Sequence, residues 1–163
     1  MGKIYSILFY FLLIVLLVNA CSTQTQQQPQ QAIQKTISTI SSEDISALTP
    51  EQVVILYFQA WNDEQYDVMY SLISDGFKQI DTQARTLSEF KANMEKFNDT
   101  ANNIGLLYAK EEYQNDNEAG VSYKIEIENK DGAKKEFRST YTLKKRANGW
   151  KLIHPYGENI DTT

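Results

Sequence analysis

The chain has one cysteine, Cys21, and one histidine, His154, among 163 residues. A lone cysteine closes no internal disulfide. One histidine with a single thiol leaves essentially carboxylates for a metal site, and Glu111 and Glu112, neighbours on a strand, point to opposite faces. No metal site and no cofactor are therefore expected. The formal charge is −5, and basic residues cluster only in the short runs Lys134-Lys135 and Lys144-Lys145-Arg146. Those runs read as solvated strand ends. An acidic chain of this kind lacks the phosphate-neutralising surface that nucleic acid requires, and it adheres poorly to anionic lipid. No internal repeat is visible. The longest apolar run, residues 4–18, has about 15 positions, where a membrane span needs about 20.

That run is nevertheless informative. Lys3 precedes it, Leu17-Val18-Asn19-Ala20-Cys21 follows it, and Ala20 is small. A positive start, an apolar middle and a small residue before the cut are the parts of a secretory signal. The segment resembles a bacterial lipoprotein signal. The resemblance implies a diacylglyceryl thioether on Cys21 and cleavage between Ala20 and Cys21, with residues 1–20 as signal peptide. Two other readings compete, an uncleaved membrane helix and N-myristoylation at Gly2 in Met1-Gly2-Lys3-Ile4-Tyr5-Ser6. Cleavage removes Lys3 and no acidic residue, taking the formal charge from −5 to −6 and leaving the acylated Cys21 with no free thiol.

Residues 21–48 read as the lipidated cysteine and a flexible tether. Residues 22–31 are Gln-rich and nearly uncharged, so they bury too little apolar surface to offset the entropy of ordering. As a flexible chain the whole tether, from Ser22 to about Leu48, averages about 30 Å end to end. Residues 49–163 read as one domain, near the modal domain size. Thr49-Pro50-Glu51-Gln52 combines an N-cap, a proline at the first helical position and a capping-box glutamine. Val53, Val54, Tyr57, Phe58 and Trp61 then form one apolar helical stripe. Tyr66, Met69, Tyr70 and Ile73 form a second, with Gly76 as the expected left-handed stop. Residues 77–80 read as a short strand. Thr86-Leu87-Ser88-Glu89 is another capping box, opening a helix with Leu87, Phe90, Met94 and Phe97 inward.

After Asn102 the period changes to two. Residues 104–113 form a first strand. Val121, Tyr123, Ile125 and Ile127 alternate with polar residues, as do Phe137, Tyr141 and Leu143. Asn129-Lys130-Asp131-Gly132 and Asn148-Gly149 are turn signals. Trp150, Leu152, His154 and Tyr156 share one face of the last strand. The expected fold class is α+β: three N-terminal helices packed on a curved, mainly antiparallel sheet of about four long strands.

This order, with Tyr57-Phe58-Gln59-Ala60-Trp61-Asn62, Tyr66-Asp67-Val68-Met69-Tyr70-Ser71-Leu72-Ile73-Ser74 and Gly149-Trp150-Lys151-Leu152-Ile153, resembles the nuclear-transport-factor-2-like superfamily over essentially all of residues 49–160. The resemblance implies a cone-shaped α+β domain and fits small envelope lipoproteins and transpeptidase accessory domains. It also implies a catalytic alternative. Tyr57 and Asp81 match, in order and approximate spacing, the phenol donor and carboxylate base of ketosteroid isomerases. The chemistry is sound, because a phenol stabilises a developing oxyanion and a carboxylate in an apolar cavity is a stronger base. A second acidic donor has no counterpart here, and Asp81 before Thr82-Gln83 equally suits a turn.

His154 is a third candidate, as a general base, against a bland reading as a half-exposed ring before Pro155. Tyr57, Trp61, Tyr70, Trp150 and His154 form a candidate pocket lining, with Phe58, Tyr66, Tyr123 and Tyr141 also available; each equally suits a dry core. The expectation is a lipid-anchored cell-envelope protein, in the cell membrane or outer membrane. Its domain would bind a small ligand or an envelope protein without catalysis, and would form a homodimer through the sheet face. The alternative is a small cofactorless isomerase, dehydratase or hydrolase.

Overall fold

The computed structural model describes residues 42–155. The chain divides into two units, Met1–Ile37 and Ser38–Thr163, and the described residues belong to the second. The lipoprotein signal, Cys21, most of the tether and Tyr156 lie outside the described residues.

The helices come first. They are α1 (Ser42–Ser46), α2 (Pro50–Asn62), α3 (Tyr66–Leu72), α4 (Asp75–Ile80) and α5 (Leu87–Asn98). The strands follow: β1 (Ala101–Gln114), β2 (Glu118–Asn129), β3 (Lys134–Arg146) and β4 (Gly149–Leu152). They form one antiparallel sheet in sequence order. The fold is the expected α+β cone, with five helices among the described residues rather than three and a last strand of only four residues.

Local chemistry starts both long helices as the sequence predicts. Thr49 Oγ1 accepts from the Gln52 amide at 3.3 Å, and Gln52 Oε1 accepts from the Thr49 amide at 2.9 Å. Thr86 and Glu89 do the same for α5, at 3.2 and 3.0 Å. Each reciprocal pair satisfies backbone donors that helix geometry leaves without partners. Helix α2 ends at Asn62 without a glycine; Glu64 takes a left-handed φ of 57° instead.

Residues 77–80 are helical, not a strand. Ile73 is extended and forms a parallel bridge with Leu152, and the Ser74 amide donates to Leu152 O at 2.9 Å. Ser74 Oγ then accepts from the Phe77 amide at 2.9 Å and opens α4, which contains Gly76. Gly76 is thus inside a helix rather than at the end of one. The helix-opening role of Ser74 wins over the stop reading because Ile73 is held in the sheet. Helix α1 falls within the stretch read as tether, and Ile45 joins the core, so packing begins upstream of Thr49. Gly149 has φ +101°, and a Cβ there would sit 2.9 Å from Ser46 Cα. The hairpin between β3 and β4 therefore seats directly against α1.

Three register shifts in β1, at Ala101/Asn103, Leu106/Tyr108 and Glu111/Tyr113, bend the sheet and reset its side-chain parity. Fully buried Phe58, Met69, Leu72, Ile73, Leu143 and Leu152 centre the core between helices and sheet. Leu87 and Phe97, expected inward on α5, are 42% and 37% exposed. They lie at the two ends of the helix, where its inward face runs past the core. Phe137 is likewise 41% exposed, although it pairs across the sheet with buried Ile125.

Candidate functional site

The concave interior is where a cone would hold a ligand, and α2 and the sheet fill it with rings. Phe58, 1% exposed, lies 5.7 Å from Tyr57, 4.9 Å from Tyr123, 6.1 Å from Tyr141 and 6.2 Å from Trp61. Tyr123 and Tyr141 stack at 4.8 Å from neighbouring strands, and Tyr57 meets Tyr141 edge-on at 5.9 Å. These edge and offset geometries are those the ring quadrupole favours. Burial pushes the Tyr57 phenol well above its ordinary value; the neighbouring Tyr123 and the charge of Asp81 add to this, and the Tyr141 hydroxyl opposes it. Burial drives Tyr141 up as well, with Tyr57 and Tyr123 adding to it. Both phenols stay protonated.

The charge of Asp81 reaches Tyr57, and among the candidate pocket residues Tyr57 meets Trp61 edge-on at 6.3 Å. Asp81 ends α4, and its Oδ1 accepts from the Gln83 amide at 2.8 Å, so the carboxylate organises the turn to α5. The His154 ring meets Phe77 edge-on at 4.8 Å, and it lines a cavity of about 110 Å³ with Thr140, Tyr141, Thr142, Ile153 and Pro155; Tyr141 is the ring that Tyr57 meets edge-on. Trp61 donates from Nε1 to Asn98 Oδ1 at 3.2 Å, and Asn98 Nδ2 donates to the Tyr66 hydroxyl at 3.0 Å, tying α2, α3 and α5 together. Trp61 also lines a cavity of about 60 Å³ beside the start of β1. Tyr70 donates to Arg85 O at 3.1 Å and carries Lys78 Nζ 4.7 Å above its ring. Trp150 is 4% exposed, with Lys145 Nζ 5.1 Å from its ring. None of these five candidate pocket residues shares either cavity with another of the five.

A larger space lies elsewhere. A groove of about 500 Å³ runs between the α3–α4 corner and the β3–β4 hairpin. Lys78, Arg146 and Lys151 line it, with Asp75 as the only lining carboxylate among the described residues. Lys151 is 6% exposed, and its Nζ donates to Ser71 O at 2.7 Å. Burial, reinforced by the charge of Lys78, holds its ammonium below the ordinary lysine value, with Asp75 opposing. Lys78 itself pairs with Asp75 at 3.0 Å. Sequence reasoning missed this groove. Alternation with Trp150 and Leu152 places Lys151 on the opposite face of β4, but only the nonlocal bridge from Ile73 to Leu152 covers that face with α3 and α4.

The outer sheet face is charged. Lys124 pairs with Glu136 and Lys134 with Glu126, each at 2.7 Å. Among the described residues no cluster suits a metal ion, and no helix is long and apolar enough to cross a membrane.

Residues 49–155 match the family model of the NTF2-like N-terminal transpeptidase domain. No curated protein matches the chain. Among solved structures, a SEC-C motif-containing protein from Rhodopseudomonas palustris is similar in fold, with a TM-score of 0.54, 10% identity, and 69% of this chain and 81% of that one covered. A Nostoc punctiforme protein of unknown function with a cystatin-like fold follows, with a TM-score of 0.47 and 11% identity, covering 63% of this chain and 82% of that one. An NTF2-like protein of unknown function from Shewanella oneidensis has a TM-score of 0.46 and 13% identity, covering 63% and 90%. At 10% identity, the likeness to the first of these speaks to fold alone.

Proposed function

The chain belongs to the NTF2-like N-terminal transpeptidase domain family, and from that premise we propose that it is a membrane-anchored cell-envelope lipoprotein whose domain binds a ligand or a protein partner without catalysing a reaction. One observation carries the non-catalytic part. The interior, where this fold would keep a reacting substrate, is occupied by Tyr57, Phe58, Tyr123 and Tyr141 in mutual ring contact. A substrate needs a concave site of a few hundred Å³. The groove that offers this volume contains neither Tyr57, Asp81 nor His154. The anchoring part is supported by Lys3, the apolar run and Ala20-Cys21. Lipid on Cys21 would hold the domain at the membrane surface, and a homodimer through the ion-paired sheet face belongs to the same proposal.

A cofactorless isomerase, dehydratase or hydrolase is the competing reading. It draws on the reach of Asp81's charge to Tyr57. A Tyr57→Phe/Asp81→Asn double variant separates the two. Ketone and enol substrates are offered to the full chain and to the variant. The binding reading expects no turnover by either; turnover that the double variant loses while keeping its fold contradicts it. For the anchor, the intact mass of the membrane-extracted protein is expected to begin at an acylated Cys21. A mass beginning at Met1 overturns the lipoprotein assignment.

A further inference from the structure

We propose that Lys151 is a nucleophilic amine that captures a small hydroxylated aldehyde as a reversible Schiff base, in the groove between the α3–α4 corner and the β3–β4 hairpin. Three observations carry it. The first is the setting of the side chain. Lys151 is 6% exposed and lines the groove, and Ser71 O, at 2.7 Å, is the one acceptor it meets among the described residues. No carboxylate of the described residues comes within ion-pair distance of its Nζ. An ammonium has three donors, and burying its charge without a counter-ion is costly. A neutral amine fits the place better: one N–H serves Ser71 O, and the lone pair is left for reaction.

The second is neighbouring charge. Lys78 disfavours protonation of Lys151, and Asp75, which opposes this, is already paired with Lys78 at 3.0 Å. Lys144, across the sheet from Lys151, and Arg146, in the lining, have contacts of their own. Burial and a nearby cation are both means of making an amine nucleophilic at neutral pH. The third is size. About 500 Å³ falls within the range of small-molecule sites, roughly 300–1,000 Å³. The amides of Gln79 and Asn148, also in the lining, are suited to the hydroxyl groups of the ligand. Amine and aldehyde balance without a further reactant. Nζ attacks the carbonyl carbon, the C=O π pair moves to oxygen, and a proton passes from nitrogen to that oxygen, giving a carbinolamine. The nitrogen lone pair then forms the C=N bond as hydroxide leaves, and the hydroxide takes the remaining nitrogen proton to depart as water. Nothing is oxidised or reduced, and water reverses the capture, so it is binding and not turnover.

The proposal rests on reading the domain as a binding module, and its test is independent of that reading. The full chain in neutral detergent is mixed at pH 7 with glyceraldehyde and cyanoborohydride, which reduces the imine to a stable secondary amine, and the adducts are located by peptide mass spectrometry. Lys151 is expected to react at least about tenfold faster than the exposed Lys135, since each unit by which an amine's pKa falls makes its neutral form about tenfold commoner. In guanidinium chloride, which unfolds the domain, the two should react alike. Lys151→Met should lose the fast adduct. If that variant fails to fold, the comparison of folded and unfolded wild-type chain decides alone. Lys151 reacting no faster than Lys135 in the folded chain overturns the site, as does a preference for Lys151 that persists unchanged on unfolding. Failure here leaves a protein-binding domain standing, whereas turnover lost in the Tyr57/Asp81 variant would remove the binding reading without touching Lys151.

Discussion

Replacing Phe58 by alanine should cost the domain about 3–5 kcal/mol, because the ring is fully enclosed and its neighbours cannot close the gap. The magnitude follows from its surroundings. Phe58 is 1% exposed and lies within 6.2 Å of four other rings, contributed by α2, β2 and β3. Those partners are anchored on separate elements, so collapse into the vacated space requires several of them to move together. A domain typically has about 5–15 kcal/mol of stability, so the variant should fold but melt early. For a domain of this size each kcal/mol shifts the melting temperature by about 4 °C, giving a fall of about 12–20 °C. Urea unfolding followed by tryptophan fluorescence reads both effects, since Trp61 stacks on Phe58 at 6.2 Å. Phe58→Leu, which retains more of the volume, should lose roughly half as much. A loss below about 1 kcal/mol for Phe58→Ala would mean that the ring borders open space and that the cone is not filled.

Other consequences are as direct. Gly149→Ala should destabilise by about 2–3 kcal/mol in denaturant titration, since φ +101° disfavours any side chain and the new Cβ meets Ser46 Cα; an unchanged midpoint would show that α1 does not seat on the hairpin. Stability should fall above about pH 10. The folded chain keeps the Tyr57 and Tyr141 protons that the unfolded chain releases near its ordinary tyrosine value, so the contribution is full below that pH and is lost as pH rises toward the folded values. Tyr57→Phe should flatten that decline, and an equally steep decline in the variant contradicts the assignment. Lys151 should titrate below the ordinary lysine value in a side-chain NMR titration; an unshifted ammonium contradicts its burial.

The features legible in the sequence were the local ones. Thr49/Gln52 and Thr86/Glu89 are four-residue signatures whose hydrogen bonds depend on little beyond the helix they start. Alternation along β2 survives because one face of that strand packs against α2 while the other bears charge. Reading failed where distant contacts decide. The stretch Ser74-Asp75-Gly76 reads as a stop until the Ile73–Leu152 bridge makes Ser74 a helix start. Three register shifts in β1 blur its alternation. Aromatic content alone does not separate a pocket from a packed core; that difference is one of volume, and it emerges only when α2 is laid across Tyr123 and Tyr141. The groove around Lys151 is the product of the same nonlocal bridge, and no local motif announces it.

The filled interior is tested most directly by pressurising crystals of the protein with xenon, which enters empty apolar cavities in proteins. The account predicts no ordered xenon among Tyr57, Phe58, Tyr123 and Tyr141. Xenon bound between Phe58 and Tyr141 would contradict it and return the cone interior to consideration as a site for chemistry.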